Sequence, residues 1–136
     1  MSANLDLVRS IFADWERGDF SSAAWAHPEI EYVMADGPLP GSSTGLAAMA
    51  GAMRELLNVW QDYRVEADEY RELDDDRVLV SLHARGRGKT SGVELGLTNG
   101  QGANVLHITH GKVSRFVAYF DHRRALADLG LAPEAF

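Results

Sequence analysis

The sequence contains no cysteine, which excludes a disulfide, a thiolate nucleophile and a cysteine-ligated zinc. Positive charge is in deficit. Thirteen Lys and Arg against twenty Asp and Glu leave a formal net charge of −7, and the basic residues are scattered rather than gathered into a stripe. Such a surface repels a phosphate backbone, so a nucleic-acid partner is not expected. No apolar run approaches the length of a membrane span, and the stretch from Met1 to Arg9 lacks the basic start and apolar run of a secretory leader. A cytoplasmic protein with no membrane partner is the expectation. The glycine-rich segment from Gly86 to Gly102 matches neither a Walker loop nor a dinucleotide fingerprint, because those glycines must sit between a strand and a helix. His107 and His110 have no carboxylate that completes a recognisable ligand set, so neither a metal nor any other cofactor is expected.

What the chain does contain is a full set of signals for one α+β domain spanning residues 1–136. Leu5, Val8, Ile11, Phe12 and Trp15 recur at helical spacing, with Asn4 as a cap and Gly18 as a terminator. A second short helix is expected from Ser22 to Ala26, ended by Pro28. From Glu29 to Asp36 the residues alternate as in a strand, which puts Ile30, Tyr32, Met34 and Asp36 on one face. Gly37 to Ser43 reads as a loop, and Thr44 as the cap of a helix carrying Leu46, Met49, Met53, Leu57 and Trp60 on one side.

Four strand-like segments follow: Tyr63 to Leu73, Arg77 to about Gly88, about Val93 to Ile108, and Lys112 to Phe120. Asp74-Asp75-Asp76 and His110-Gly111 are the natural turns, and Gly96, Gly100 and Gly102 mark a bend in the third segment. Asp121 caps a last helix that Gly130 ends. Short turns between consecutive strands imply an antiparallel meander, curved around the N-terminal helices and enclosing one apolar pocket. The residues expected to line it are Phe12, Trp15, Met34, Met53 and Trp60, together with Leu82, Leu106, Phe116 and Phe120. Small residues at Ala52, Ala84, Gly86 and Ala118 leave space on the same face. A cavity walled by aromatics with few polar groups suits a flat, apolar small molecule.

The helix end Trp15-Glu16-Arg17-Gly18-Asp19-Phe20, the strand and loop Val33-Met34-Ala35-Asp36-Gly37 leading to Thr44-Gly45, and Gly111-Lys112-Val113 resemble the nuclear-transport-factor-2-like superfamily. That group includes ketosteroid isomerases and SnoaL-like polyketide cyclases. Tyr119-Phe120-Asp121-His122 followed by Leu129-Gly130-Leu131 looks most like the SnoaL-like members. The resemblance covers essentially the whole chain and implies a cone-shaped α+β barrel. It places Asp36 where the isomerases keep a proton-shuttling carboxylate. Their first-helix tyrosine falls on Ile11, which cannot donate, and their neutral sheet acid on Asn104, which can. Tyr32, sharing the Asp36 face, is a replacement donor. The resemblance also puts the polar pair Asp121 and His122 near the pocket as further catalytic candidates.

Proton abstraction beside a carbonyl needs one base and one donor aimed at the developing oxyanion, roles that Asp36 and Asn104 can fill. A neutral-acid donor paired with an aspartate base is the arrangement described for ketosteroid isomerase itself. The expected function is therefore cofactor-independent isomerisation, cyclisation or hydration of an apolar carbonyl compound or epoxide. The alternative is a noncatalytic ligand-binding or dimerisation module. In either case a homodimer is expected through the outer sheet face around His83, His107 and Tyr119.

Overall fold

The apolar stripe Val8, Ile11, Phe12 and Trp15 forms the buried side of helix α1 (Ala3–Glu16). In this computed structural model the described residues are 3–20, 22–36, 40–88 and 101–131, without the side chains of residues 56, 59–62 and 86–88. The helix stops where Gly18 takes a φ of +81°, a backbone conformation glycine adopts without steric cost, and its N–H returns to the Trp15 carbonyl at 2.9 Å. Its start differs from expectation. Asn4 lies within the helix and its Nδ2 donates to the Asp75 carbonyl at 2.8 Å, so this side chain ties α1 to a distant turn instead of capping it.

Strand β1 (Ala26–Met34) begins earlier than the alternation suggested. No helix forms from Ser22 to Ala26. A tight turn there returns the Ala26 N–H to the Ala23 carbonyl, and Trp25 donates its indole N–H to the Ser22 carbonyl. Pro28 falls in the irregular part of β1, between Ala26 and Glu31, where the ladder to its neighbour is interrupted and the missing N–H costs nothing. Residues expected as loop form strand β2 (Gly41–Thr44), which pairs antiparallel with β1. Serines and threonine carry no hydrophobic alternation, so only pairing to β1 reveals this edge strand. Gly45, with a φ of +95°, then opens α2 (Leu46–Val59), and its carbonyl accepts the Met49 N–H at 3.0 Å. The helix entry belongs to Gly45 rather than to the expected Thr44, which β2 retains.

The remaining strands are β3 (Trp60–Glu72), β4 (Arg77–Gly88), β5 (Gln101–Thr109) and β6 (Lys112–Tyr119). The expected segment from Val93, with Gly96 and Gly100, lies outside the described residues up to residue 100. The sheet order is β2-β1-β6-β5-β4-β3. It is mixed, not wholly antiparallel, because β1 runs parallel to β6 while every other neighbouring pair is antiparallel. It is also open: β2 and β3 are its edges, so the cone is a sheet wrapped around α1 and not a closed barrel. Register shifts in β3, between Gln61 and Arg64 and between Ala67 and Glu69, supply bend. Glu16 of α1 accepts the Ala67 N–H there at 2.9 Å, satisfying a donor that the ladder leaves out.

The tight turns are where local chemistry dictates. His110 and Gly111 both have positive φ, the geometry of a two-residue hairpin, and they join Thr109 to Lys112. Helix α3 (His122–Asp128) is capped by the Asp121 carboxylate, which accepts the Arg123 N–H at 3.0 Å, and is closed by Gly130.

Two apolar clusters result. The inner one joins α1 to alternate residues of β1, β4, β5 and β6. The outer one, including Leu79, Val105, Val117 and Tyr119, lies under Ala125 and Leu126 of α3. Tyr119 is therefore covered by the chain's own helix, and its hydroxyl donates to Asp128 at 3.0 Å; it is not part of an exposed outer face. Phe12 is fully buried at the centre of the inner cluster. Phe12→Ala is expected to cost about 3–5 kcal/mol, read as a lower urea midpoint at unchanged m-value.

Candidate functional site

The inner face of the sheet does not close completely on α1. A cleft remains whose empty space, including its open mouth, is about 630 Å³. Trp15 comes from the end of α1 and Phe20 from the loop after it, Met53 and Leu57 come from α2, and most of the remaining wall comes from alternate residues of the sheet.

Trp15 organises the aromatic side. Its ring meets Phe20 in a stacked arrangement at 5.8 Å and lies edge-on to Trp25 and Phe116 at 5.9 and 5.7 Å. Phe116 in turn stacks on Tyr32 at 5.3 Å with 20° between planes. Beside them the wall is thin. Ala84, Gly102 and Ala118 are contributed by β4, β5 and β6. A Cβ at Gly102 would stand 2.5 Å from the Tyr119 carbonyl oxygen, so only glycine allows the backbones to approach this closely.

Most expected lining residues meet here: Trp15, Met34, Met53, Leu82, Phe116 and Phe120 line the cleft, with Tyr32 and Asn104 among them. Phe12 and Leu106 do not. Both are fully buried in the inner cluster: Leu106 shares the inner face of β5 with Asn104, and Phe12 lies on the inward side of α1, but both are packed into the core and not at the open space. Trp60 and Gly86 lie outside the described side chains. Ala52 packs against the core without lining the cleft.

The three ionisable candidates are placed elsewhere. Asp36 lies beyond the end of β1, so strand alternation no longer governs its direction, and it does not line the cleft. Its Oδ1 accepts the Phe120 N–H and its Oδ2 accepts the Asp121 N–H at 3.2 Å. The Ala35 N–H still reaches the Ala118 carbonyl at 2.9 Å. The carboxylate thus continues the β1–β6 ladder where the backbone of β1 has stopped, satisfying two successive amides. Asp121 caps α3, and His122 is the first residue of that helix; neither lines the cleft. Ile11, where the isomerases' tyrosine would fall, is buried in the core.

The sequence reading missed Phe20, Leu57, Val65 and, most consequentially, Tyr63. Tyr63 sits at an irregular part of β3, so alternation could not assign its face; an aromatic beside a register shift was the only signal. Asn104, although buried, makes one side-chain hydrogen bond among the described residues, from Nδ2 to the Ala103 carbonyl at 3.0 Å. Among the described residues no three His, Asp or Glu side chains are grouped as a metal ion would require, and no helix is long and apolar enough to cross a membrane.

Burial pushes the Tyr63 hydroxyl up to about 12, because the phenolate loses its water. Tyr32 is raised still further, first by burial and then by the nearby Tyr63. Burial also raises Tyr70 and Tyr119, the latter helped by its bond to Asp128. Because these raised values hold protons that the unfolded chain would release, the stability they contribute is complete below about pH 10 and is lost as pH climbs toward 12. An alkaline titration should show clearly less than half of the full tyrosinate absorbance at about pH 10, where unperturbed tyrosine is half ionised. The absorbance should then rise together with loss of ellipticity.

The family model described as the SnoaL-like domain matches residues 8–116. Among solved structures, an NTF2-like protein of unknown function from Burkholderia pseudomallei is 21% identical with a TM-score of 0.75, over 93% of this chain and 97% of that one. TerC, co-crystallised with polyporic acid, is 23% identical with a TM-score of 0.71, over 94% and 98%. A Xanthomonas campestris protein assigned as a polyketide cyclase is 19% identical with a TM-score of 0.63, over 92% and 95%. No curated protein matches the chain. At such identities the likeness establishes the fold, not the reaction.

Proposed function

The chain belongs to the SnoaL-like domain family, and from that premise we propose that its inner cleft binds an apolar, planar small molecule bearing a carbonyl or similar oxygen. The observation that carries this reading is a cleft whose wall, among the described residues, bears no charged side chain and combines the rings of Trp15, Phe20, Tyr32 and Phe116 with the small residues Ala84, Gly102 and Ala118. A flat ring laid against those aromatics buries apolar surface, and each Å² removed from water is worth about 25 cal/mol. The co-crystallisation of the similarly folded TerC with polyporic acid supports a small organic ligand. Filling the thin wall tests the proposal. Ala118→Leu should still fold cooperatively yet bind 2-acetylnaphthalene at least about tenfold more weakly by quenching of tryptophan fluorescence, since the larger side chain takes space the ligand needs and tenfold corresponds to about 1.4 kcal/mol. Unchanged affinity in that variant removes the cleft as the binding site.

A second, catalytic reading starts from Asp36, which does not line the cleft itself but whose carboxylate accepts the backbone N–H of the cleft residue Phe120. In this reading Asp36 is the base of an acid–base isomerisation, cyclisation or hydration, and Tyr32 and Asn104 donate to the oxygen that gains charge. Exchange of the α-hydrogens of 2-tetralone for deuterium reports the first proton transfer directly. The wild type should accelerate exchange and Asp36→Asn should lose that acceleration while still binding the ketone. Exchange that is absent in the wild type, or equal in the two proteins, leaves the noncatalytic binding reading. The same variant should lose about 1–3 kcal/mol of stability, because an amide N–H would face one of the two backbone N–H groups that the carboxylate now accepts.

A further inference from the structure

Among the described residues, every side chain lining the cleft is uncharged: no Asp, Glu, Lys, Arg or His is among them. The polar ones are Tyr32, Tyr63 and Asn104, since the Tyr119 hydroxyl is engaged by Asp128 beneath α3. Tyr32 comes from β1 and Tyr63 from β3, which are far apart in the sheet order. Wrapping of the sheet brings them close enough that ionisation of one opposes ionisation of the other. Tyr32 is held in place by its stack on Phe116, and Tyr63 by its contact with Phe20 at 6.1 Å. Among the described residues neither hydroxyl forms a hydrogen bond to the protein, although Tyr32 is only 4% exposed. Buried polar groups ordinarily have partners, so the hydroxyls of the buried Tyr32 and the half-buried Tyr63, both of which line the cleft, are disposed toward what enters it.

We infer that the cleft selects its ligand by one uncharged acceptor oxygen on a planar apolar frame, held by the hydroxyls of Tyr32 and Tyr63 beside the Asn104 amide, and that it excludes the corresponding carboxylate. This rests on the ligand-binding reading above and adds the chemistry that discriminates among ligands. Both phenols remain protonated at neutral pH, so each is available as a donor. Asn104 fixes its amide through Nδ2 on the Ala103 carbonyl and keeps hydrogen-bonding capacity toward the cleft. A ketone or hydroxyl oxygen meets donors without bringing a charge out of water. A carboxylate would enter with no cation on the described wall to offset its desolvation. Tyr63 is thus assigned as a specificity-determining residue.

Three probes on one ring system separate the possibilities: 2-acetylnaphthalene, 2-ethylnaphthalene and 2-naphthoate, titrated into the full-length protein near neutral pH. The wild type should bind the ketone at least about tenfold more tightly than the carboxylate and about three- to tenfold more tightly than the hydrocarbon. In Tyr63→Phe and in Tyr32→Phe the preference for ketone over hydrocarbon should shrink, while hydrocarbon affinity stays unchanged, an outcome that a general loss of structure would not give. Equal binding of ketone and carboxylate by the wild type overturns the inference while leaving the cleft a ligand site. So does a ketone preference that survives in the Tyr32→Phe, Tyr63→Phe double variant. Failure of all three probes to bind overturns the ligand-binding reading and this inference with it. The wild-type comparison needs no variant, so the test stands even if a substitution unfolds the protein.

Discussion

The burial of Trp15 at the end of α1 is the contact on which the rest of the molecule depends. An indole brings a large apolar surface, and here it meets Phe12, Phe20, Trp25 and Phe116, drawn from α1, the following loop, the turn before β1 and β6. One side chain therefore fixes the depth at which the helix sits inside the sheet. The sheet must curve around it, and the register shifts of β3 supply bend. Because α1 and α2 do not fill the space so enclosed, the cleft remains beside Trp15. The stability of the core and the existence of the site share a cause: the aromatics that hold helix to sheet are also the aromatics a ligand would meet.

Polar groups follow a matching division. The described ion pairs lie away from the cleft, as in Glu31–Arg115 and Asp74–Arg77, and Asp68 lies beside His83. His107 lies among the outer charges, and burial followed by Arg115 and Arg77 disfavours its protonation. Within the cleft the described polar side chains are hydroxyl and amide groups, which can be desolvated at far lower cost than ions. Asp36 stands at the boundary between the two regions. Its carboxylate takes over two amides of the β6–α3 junction that a longer β1 would have paired, so its geometry serves the ladder whatever chemistry it performs.

Where a structural choice is local, the sequence was a sound guide. Gly18, His110-Gly111 and Gly130 mark positive-φ positions, and each ends or reverses an element at the expected place. The Asp121 cap works through a side chain reaching an amide two residues away. Alternation likewise assigned Ile30, Tyr32 and Met34 to the inside, because the period of a strand is fixed by its backbone. That rule fails where the strand ends, which is why Asp36 turned to the β6 backbone instead of sharing the face of Met34.

By itself the amino-acid sequence determined the α+β class, most of the helices and strands, the turns, and an apolar inner face rich in aromatics. Only the tertiary structure decided that β1 lies parallel to β6 and that the serines of β2 form a strand, since pairing partners across a long loop leave no periodic mark. It also decided which inward residues became solid core and which became cleft. Phe12 and Phe116 carry the same side chain on inward-facing positions, yet one is sealed and the other lines open space. Which inward residues are sealed and which are left at the cleft depends on how the whole sheet curves around the helices, and that is written at no single position. Tyr63 and Tyr32 became neighbours for the same reason: curvature of the whole sheet, not spacing along the chain, brought their hydroxyls to one cleft.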